Sequence, residues 1–159
     1  MTLKETREQY RISQAAAASA IGMPLRTYIR YESDENYGNS LKRQSMIAAL
    51  NTAYEITETK GLRTVEQIKK IVNAILDDKY KDIVDFCYLF GSYAKGYAKE
   101  TSDIDLCIST SLTGLKFMGL VESLRTALHK KVDLIRLCDL SNNVELVNEI
   151  MKDGIKIYG

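Results

Sequence analysis

The chain lacks several residue types on which common functions depend. The only histidine among its 159 residues, His129, stands in the stretch HKKVD without a second ligand nearby, which excludes histidine-rich metal motifs and any Ser-His-Asp triad built elsewhere in the chain. The three cysteines, Cys87, Cys107 and Cys138, lie in or beside apolar runs without CxxC spacing. We therefore expect buried, reduced thiols and neither a zinc site, a disulfide nor a catalytic cysteine.

Long apolar runs and an excess of one charge are also missing. The sequence has no apolar run of about eighteen residues and no charged-then-apolar leader, so it predicts neither a membrane span nor a secretory signal. We therefore expect a cytoplasmic protein. The 22 lysines and arginines nearly balance 21 acidic residues. Bulk charge therefore indicates no partner, and a nucleic-acid surface would have to come from a local basic cluster.

The pattern of apolar residues divides the chain into two modules. The first half shows only helical patterns, predicted at residues 3–11, 14–20, 25–32 and 41–56. The second alternates helices, predicted at 65–80, from Ser92, at 112–130 and at 143–152, with strands at 84–90, 103–109, 131–137 and 154–159. We therefore predict an α+β protein: an all-α module in residues 1–57, a linker at 58–64, and a small mixed sheet with helices on one side in 65–159.

The run GSYAKGYAKETSDIDL, residues 91–106, carries the strongest chemical signal. An apolar stretch stops at Gly91-Ser92, which predicts a buried strand, a tight turn and a helix whose first N–H groups face an anion. Asp103 and Asp105 are two residues apart, so a strand would place both carboxylates on one face. The intervening Ile104 would face the core.

Two carboxylates on one face suit magnesium, which takes carboxylate, water and phosphate oxygens as ligands. Asp133, in the apolar run KVDLIRL, would add a third acid from a neighbouring strand. A lone Asp-x-Asp is common on exposed strands, where it means only a solvated face. Inside an apolar strand, however, like charges repel unless cations compensate them. The run contains no Walker GxxxxGK[ST] loop.

Residues 91–106 resemble the GS-x10-DxD signature of the DNA polymerase beta superfamily, specifically of its minimal nucleotidyltransferases, whose usual pattern is close to GSxARGxAxxxSDxDL. The resemblance implies that Asp103, Asp105 and Asp133 bind two Mg²⁺ ions and that Asp133 helps to activate the acceptor hydroxyl. It also implies a set of residues that bind ATP: Gly91, Ser92, Lys95 and Ser102. Lys95 stands where the family more often has arginine, so its phosphate contact would be a point charge instead of a bidentate fork.

A second motif, ISQAAAASAIGMPLRTYIRYE, spans residues 12–32. It resembles the helix-turn-helix of Cro and phage repressors, SQxxLAxxxGVSxxTIxRYE, with Ala17 at the customary leucine and Pro24 at the customary serine. The resemblance implies DNA contacts from the second and third helices: Gln14, Leu25, Arg26, Thr27 and Arg30. The alternative is a helical bundle that only docks the catalytic module or a partner.

Together these resemblances imply an antitoxin with nucleotidyltransferase activity of the EC 2.7.7 type. It would transfer AMP from ATP to a tyrosine of a HEPN ribonuclease toxin and bind operator DNA to regulate its own expression. Two alternatives stay open: a transferase acting on a small molecule such as an aminoglycoside, and a catalytically silent DNA-binding partner of the toxin. The sequence leaves the oligomeric state open, a homo-oligomer included.

Overall fold

The computed structural model describes all 159 residues, which form two compact units, Met1–Glu55 and Ile56–Gly159. Residues 58–64, predicted as a linker, lie in the second unit. None of the helices has the length and apolar composition that crossing a membrane requires.

The first unit contains four helices, α1 Leu3–Gln9, α2 Gln14–Ala20, α3 Leu25–Ser33 and α4 Ser40–Tyr54. Ser13 directly precedes the helix predicted at residues 14–20, which predicts that it is the N-cap. It caps α2 in the structure, where its side chain accepts a hydrogen bond from the Ala16 amide. Helix α1 ends two residues earlier than predicted, and Arg11 follows in the left-handed conformation, with φ of 53°.

The core of the first unit joins all four helices. Ala17 and Ala18 are buried in it beside the fully buried Tyr28. An interior ion pair supports this core, since Arg7 donates two hydrogen bonds of 2.9 Å to the Glu32 carboxylate. The side chain of Glu32 is only 4% exposed, so the pair ties α1 to α3 with little competition from water.

The second unit alternates helices and strands in this order: α5 Val65–Lys79, β1 Val84–Phe90, α6 Gly91–Lys95, β2 Ile104–Thr110, α7 Gly114–Leu128, β3 Val132–Arg136, a 3₁₀ turn Leu137–Leu140, α8 Val144–Asp153 and β4 Ile155–Tyr158. The strand order is β3-β2-β1-β4. Strands β2 and β3 are parallel and the other neighbours antiparallel. The predicted α+β class and mixed sheet are therefore confirmed.

Helices cover both faces of the sheet. Buried residues of α5 and α7 pack on the face that carries Leu89 and Leu106, as the helical periodicity of these segments predicted. Phe90 and Cys107, at the alternate strand positions, pack with Ile150 of α8. The prediction of helices on one side thus holds for α5 and α7 but is wrong for α8, because the second face is itself partly apolar and needs cover.

The cysteines are all free, as expected from their spacing. Cys87 and Cys107 are buried in the strands. Cys138 is exposed, so the expectation of a buried thiol is wrong there. The reason is local, since Cys138 lies in the 3₁₀ turn that follows β3 and not in the strand itself.

Candidate active site

The glycine turn stands at the end of β1, where α6 begins directly at Gly91. Gly91 has φ of +71°, and a Cβ atom there would collide with Oδ2 of Asp105. The carboxylate of Asp105 therefore occupies the space that any other residue would fill with its side chain. The glycine thus shapes the acid site as well as the turn for which the sequence predicted it.

The predicted acids come together on two adjacent strands. Asp105 of β2 is paired in register with Asp133 of the parallel strand β3, and Asp103 immediately precedes β2. Asp105 is partly buried, whereas Asp103 and Asp133 are exposed. All three have the strand parity of the face that α8 covers, while Ile104 is buried on the opposite face as predicted.

Electrostatics marks Asp105 as the centre of this group. Its pKa is raised from 3.8 to about 6, mainly by burial and then by the neighbouring charges of Asp133, Asp103 and Glu149. Across the whole chain, no three His, Cys, Asp or Glu side chains are already arranged to hold a metal ion. The three carboxylates concentrate negative charge at the protein surface, and a bound cation would offset their mutual repulsion.

Lys95, at the end of α6, makes an ion pair that the sequence did not predict. Its Nζ lies 2.6 Å from Oε1 of Glu149 in α8, and this bond raises the pKa of Lys95. The partners are 54 residues apart, so no local pattern could have indicated Glu149. The ion pair places Lys95, a candidate phosphate ligand, near the acids, because the charge of its partner Glu149 also raises the pKa of Asp105.

Hydrogen bonds stabilise the loop between α6 and β2, one of them inside the loop and another from Lys130. The Lys99 amide donates a hydrogen bond of 2.8 Å to the Ser102 hydroxyl, which closes the turn before Asp103. Lys130 is fully buried, and its Nζ donates to the carbonyl oxygens of Glu100, at 2.5 Å, and Lys60, at 3.4 Å. Burial lowers the pKa of Lys130. No local pattern indicated this role, because the two carbonyl groups lie 30 and 70 residues away from Lys130 along the chain.

A groove of about 340 Å³ lies between α7 and β3 and reaches two of the acids. Its lining is mixed: Asp103, Met118, Val121, Glu122, Arg125, Lys131, Val132 and Asp133. The helical pattern of residues 112–130 predicts that Met118 and Phe117 belong to the core and not to a cofactor site. Phe117 does pack there, but Met118 is 60% exposed, because it lies off the buried stripe of Leu120, Leu124 and Leu128.

The residues predicted to contact DNA lie on two helices of the first unit. Leu25, Arg26 and Arg30 are exposed on α3, and Thr27 is half-buried. The Arg30 guanidinium stands 4.5 Å from the ring centre of Tyr37. The amide of Gln14 donates a hydrogen bond of 3.0 Å to Glu32, so its side chain is engaged inside the unit.

A glycine turn at the end of one strand, facing carboxylates on the next two strands, is the arrangement of a nucleotidyltransferase, and the chain is one. It belongs to the family described as Polymerase beta, Nucleotidyltransferase, whose model matches residues 66–159. The predicted superfamily is therefore confirmed.

Individual relatives agree with this family. MJ1215 of Methanocaldococcus jannaschii, named as a candidate protein adenylyltransferase, is 42% identical over 79 residues, which are 46% of this chain and 90% of the relative. Protein adenylyltransferase MntA of Shewanella oneidensis is 30% identical over 92 residues, 57% of this chain and 63% of MntA. A crystal structure of a toxin–antitoxin complex with AMP-PNP superposes with a TM-score of 0.50 and 28% identity, covering 57% of this chain and 73% of the other.

Proposed function

We propose that this protein is an antitoxin that transfers AMP from ATP to a tyrosine hydroxyl of a HEPN-type toxin. The observation that carries the proposal is the placement of Asp105, whose carboxylate fills the space above Gly91 and stands in register with Asp133. The similarity to a protein adenylyltransferase and to a toxin–antitoxin complex with an ATP analogue supports the choice of nucleotide and partner.

Asp103, Asp105 and Asp133 would hold two Mg²⁺ ions. The donor set fits, because all three groups are carboxylates and their mutual repulsion favours a bound cation. When bound, such ions supply positive charge that stabilises the attacking and leaving oxygens of the transfer. Asp103 and Asp133 are exposed, and the carboxylate of Asp105 lies in the space that the missing Cβ of Gly91 leaves open.

The chain's own residues would bind the nucleotide and move one proton. Gly91 and Ser92 would bind the triphosphate through the turn, with Lys95 and Ser102 beside it. Asp133 accepts the proton of the acceptor hydroxyl. At the same time the oxygen of that hydroxyl forms a bond to the α-phosphorus of ATP. The bond from that phosphorus to the bridging oxygen breaks, and pyrophosphate leaves with the electron pair.

The first unit would bind operator DNA through α3 and so regulate expression of the pair. Support comes from exposed basic groups on one helix, Arg26 and Arg30, next to the exposed Leu25. Gln14 would reach a phosphate only by giving up its hydrogen bond to Glu32. The alternative is that the first unit only docks a partner. Measuring DNA binding at a fixed salt concentration decides between the two.

The experiment for transfer uses the full chain, Mg²⁺, ATP labelled in the α-phosphate, and the HEPN protein encoded by the neighbouring gene. We expect label in the toxin, an intact mass increased by one or more adenylyl groups, and modification at tyrosine. Asp103→Asn with Asp105→Asn should abolish the transfer while the protein stays folded. Asp77→Asn with Asp78→Asn, which removes two exposed carboxylates from α5, is the matched control and should remain active.

Full transfer by the Asp103→Asn, Asp105→Asn variant would contradict the assignment of the acids. An unmodified toxin together with rapid modification of an aminoglycoside would replace the antitoxin by the small-molecule alternative. Operator binding with no nucleotide transfer to any acceptor would favour the catalytically silent partner.

A further inference from the structure

We propose that Glu149 of α8 is a positioning residue that competes with the triphosphate for the ammonium group of Lys95, so that the ion pair between them opens when the nucleotide binds. The inference rests on the proposed function, which puts Lys95 beside the triphosphate, and adds the residue that controls this lysine. Its geometric basis is the hydrogen bond of 2.6 Å that Lys95 Nζ donates to Glu149 Oε1.

Lys95 leaves α6 on the side of the acid site. Gly91 and Lys95 are the first and last residues of this helix, and residues four positions apart lie on the same helix face. The Cβ position of Gly91 is taken by the carboxylate of Asp105. The face of α6 that carries Lys95 is therefore the face that contacts Asp105, and Glu149 meets the lysine there from α8.

The ion pair is of a kind that a stronger anion can displace. The side chains of Lys95 and Glu149 are 27% and 34% exposed, so water and salt screen their attraction, and such pairs contribute little net stability. The ammonium group is a compact charge on a flexible stem. A triphosphate offers it several charged oxygens in place of one carboxylate, so we expect the lysine to change partners.

The ion pair is not needed to hold α8 in place. Ile150, the residue after Glu149, is buried and packs with Phe90 and Cys107 on the second face of the sheet. Burial of such a side chain stabilises the position of a helix more than an exposed ion pair does. The main effect of the Glu149 charge therefore falls on Lys95 and on the acid site.

Removing the charge of Glu149 should strengthen nucleotide binding by two routes. The first releases Lys95 for the phosphates. The second removes a negative charge from the neighbourhood of the site, since Glu149 contributes to the raised pKa of Asp105. Only the first route requires the lysine, so a comparison with and without Lys95 separates the two.

The test is a double-mutant cycle on the binding of AMP-PNP. The Kd is measured for the full chain, for Glu149→Gln, for Lys95→Met and for the double variant, at saturating Mg²⁺ so that the acids carry metal in all four. Glu145→Gln, which removes an exposed carboxylate one turn earlier on α8, is the matched control. Thermal unfolding checks that each variant is folded.

Glu149→Gln should lower the Kd of AMP-PNP about fivefold when Lys95 is present and less than about twofold when methionine replaces it. Lys95→Met alone should raise the Kd about tenfold, and Glu145→Gln should leave it within about twofold. Tighter binding separates this role from a structural one, because losing a tie between α6 and α8 would weaken binding or leave it unchanged.

Unchanged or weaker binding by Glu149→Gln would overturn the competition. An equal decrease in Kd with and without Lys95 would also overturn it, because only the repulsion between Glu149 and the phosphates would then remain. The cycle contains no toxin. Absence of toxin modification by the unaltered chain, with the cycle as expected, would remove the proposed function and support the competition at Lys95. Absence of AMP-PNP binding to the unaltered chain would remove both.

Discussion

Two requirements meet at Gly91. The backbone needs φ of +71°, which L side chains rarely adopt, and the Cβ position is taken by the Asp105 carboxylate. Gly96, at the other end of α6, also has a positive φ, +82°, but nothing lies within 4 Å of its Cβ position. The two glycines therefore share the conformational requirement and differ in the contact with the acid.

This difference predicts the effect of alanine at each position. Both Gly91→Ala and Gly96→Ala should lose about 1 kcal/mol or more of folding stability from backbone strain. Gly91→Ala should in addition lose nearly all nucleotidyl transfer, because Asp105 must leave its position. Unfolding in urea and transfer of labelled AMP measure the two effects. A Gly91→Ala variant as active as Gly96→Ala would show that the position of Asp105 does not depend on the glycine.

Asp105 also predicts a pH dependence of stability in the absence of metal. Its pKa is raised from 3.8 to about 6 in the folded protein, mainly by burial and then by Asp133. The folded state therefore favours the protonated form, and this contribution to stability is complete below the unfolded-state pKa and is lost as the pH rises through about 6.

Asp105→Asn, which is neutral at every pH, should therefore raise the Tm at about pH 7.5 in EDTA and have a much smaller effect at about pH 4. Thermal unfolding followed by circular dichroism measures both. Asp78→Asn, at an exposed carboxylate of α5, is the matched control and is measured at the same two pH values. An equal change in Tm at both pH values for Asp105→Asn would contradict the raised pKa.

At the scale of elements, hydrogen bonds and an ion pair connect the segment before α5 to the rest of the second unit. The Gly61 amide donates a hydrogen bond of 3.1 Å to the Glu100 carboxylate, Arg63 donates to the Leu128 carbonyl, and Glu58 pairs with Arg125. The buried Lys130 completes these contacts and also holds the loop that leads to Asp103. Glu58, Gly61 and Arg63 all lie before residue 66, where the family match begins.

Lys130→Met keeps the buried stem but removes the donor to two carbonyl oxygens. We expect a loss of about 1–3 kcal/mol in the free energy of unfolding, because a buried acceptor without a donor is costly. We also expect a lower kcat, because the loop before Asp103 loses its anchor. Lys131→Met, at the exposed neighbour, should change the unfolding free energy by no more than about 0.5 kcal/mol. Equal stability of the two variants would show that Lys130 holds nothing in place.

At the scale of the whole molecule, the two units predict two separable activities. Arg26→Ala with Arg30→Ala should remove binding to operator DNA, with about 1–3 kcal/mol lost for each base contact, and leave AMP transfer unchanged. Lys4→Ala, at an exposed lysine of α1, is the control. Operator and random DNA are compared at one salt concentration, since phosphate contacts vary with salt. Unchanged preference for the operator in the double variant would show that α3 does not read the sequence.

Much of the molecule followed from local sequence patterns. Period-two alternation around Asp103 and Asp105 placed the acids on one face and Ile104 in the core, because neighbouring residues of a strand point to opposite sides. Ser13 and the helical stripes of α5 likewise needed only their immediate neighbours in the chain. Such features are decided by backbone geometry, which a short window of sequence contains.

Other features were decided by packing between distant segments. The sequence could not show that Glu149 meets Lys95, that Lys130 is buried under two carbonyl groups, or that α8 covers the second face of the sheet. It also placed Met118 in the core, although the turn of α7 leaves it at the groove. The sequence by itself determined the catalytic motif and its strands, because these depend on spacing along the chain. Only the tertiary structure decided which charged groups surround the motif, because folding chooses partners across many residues by burial and shape.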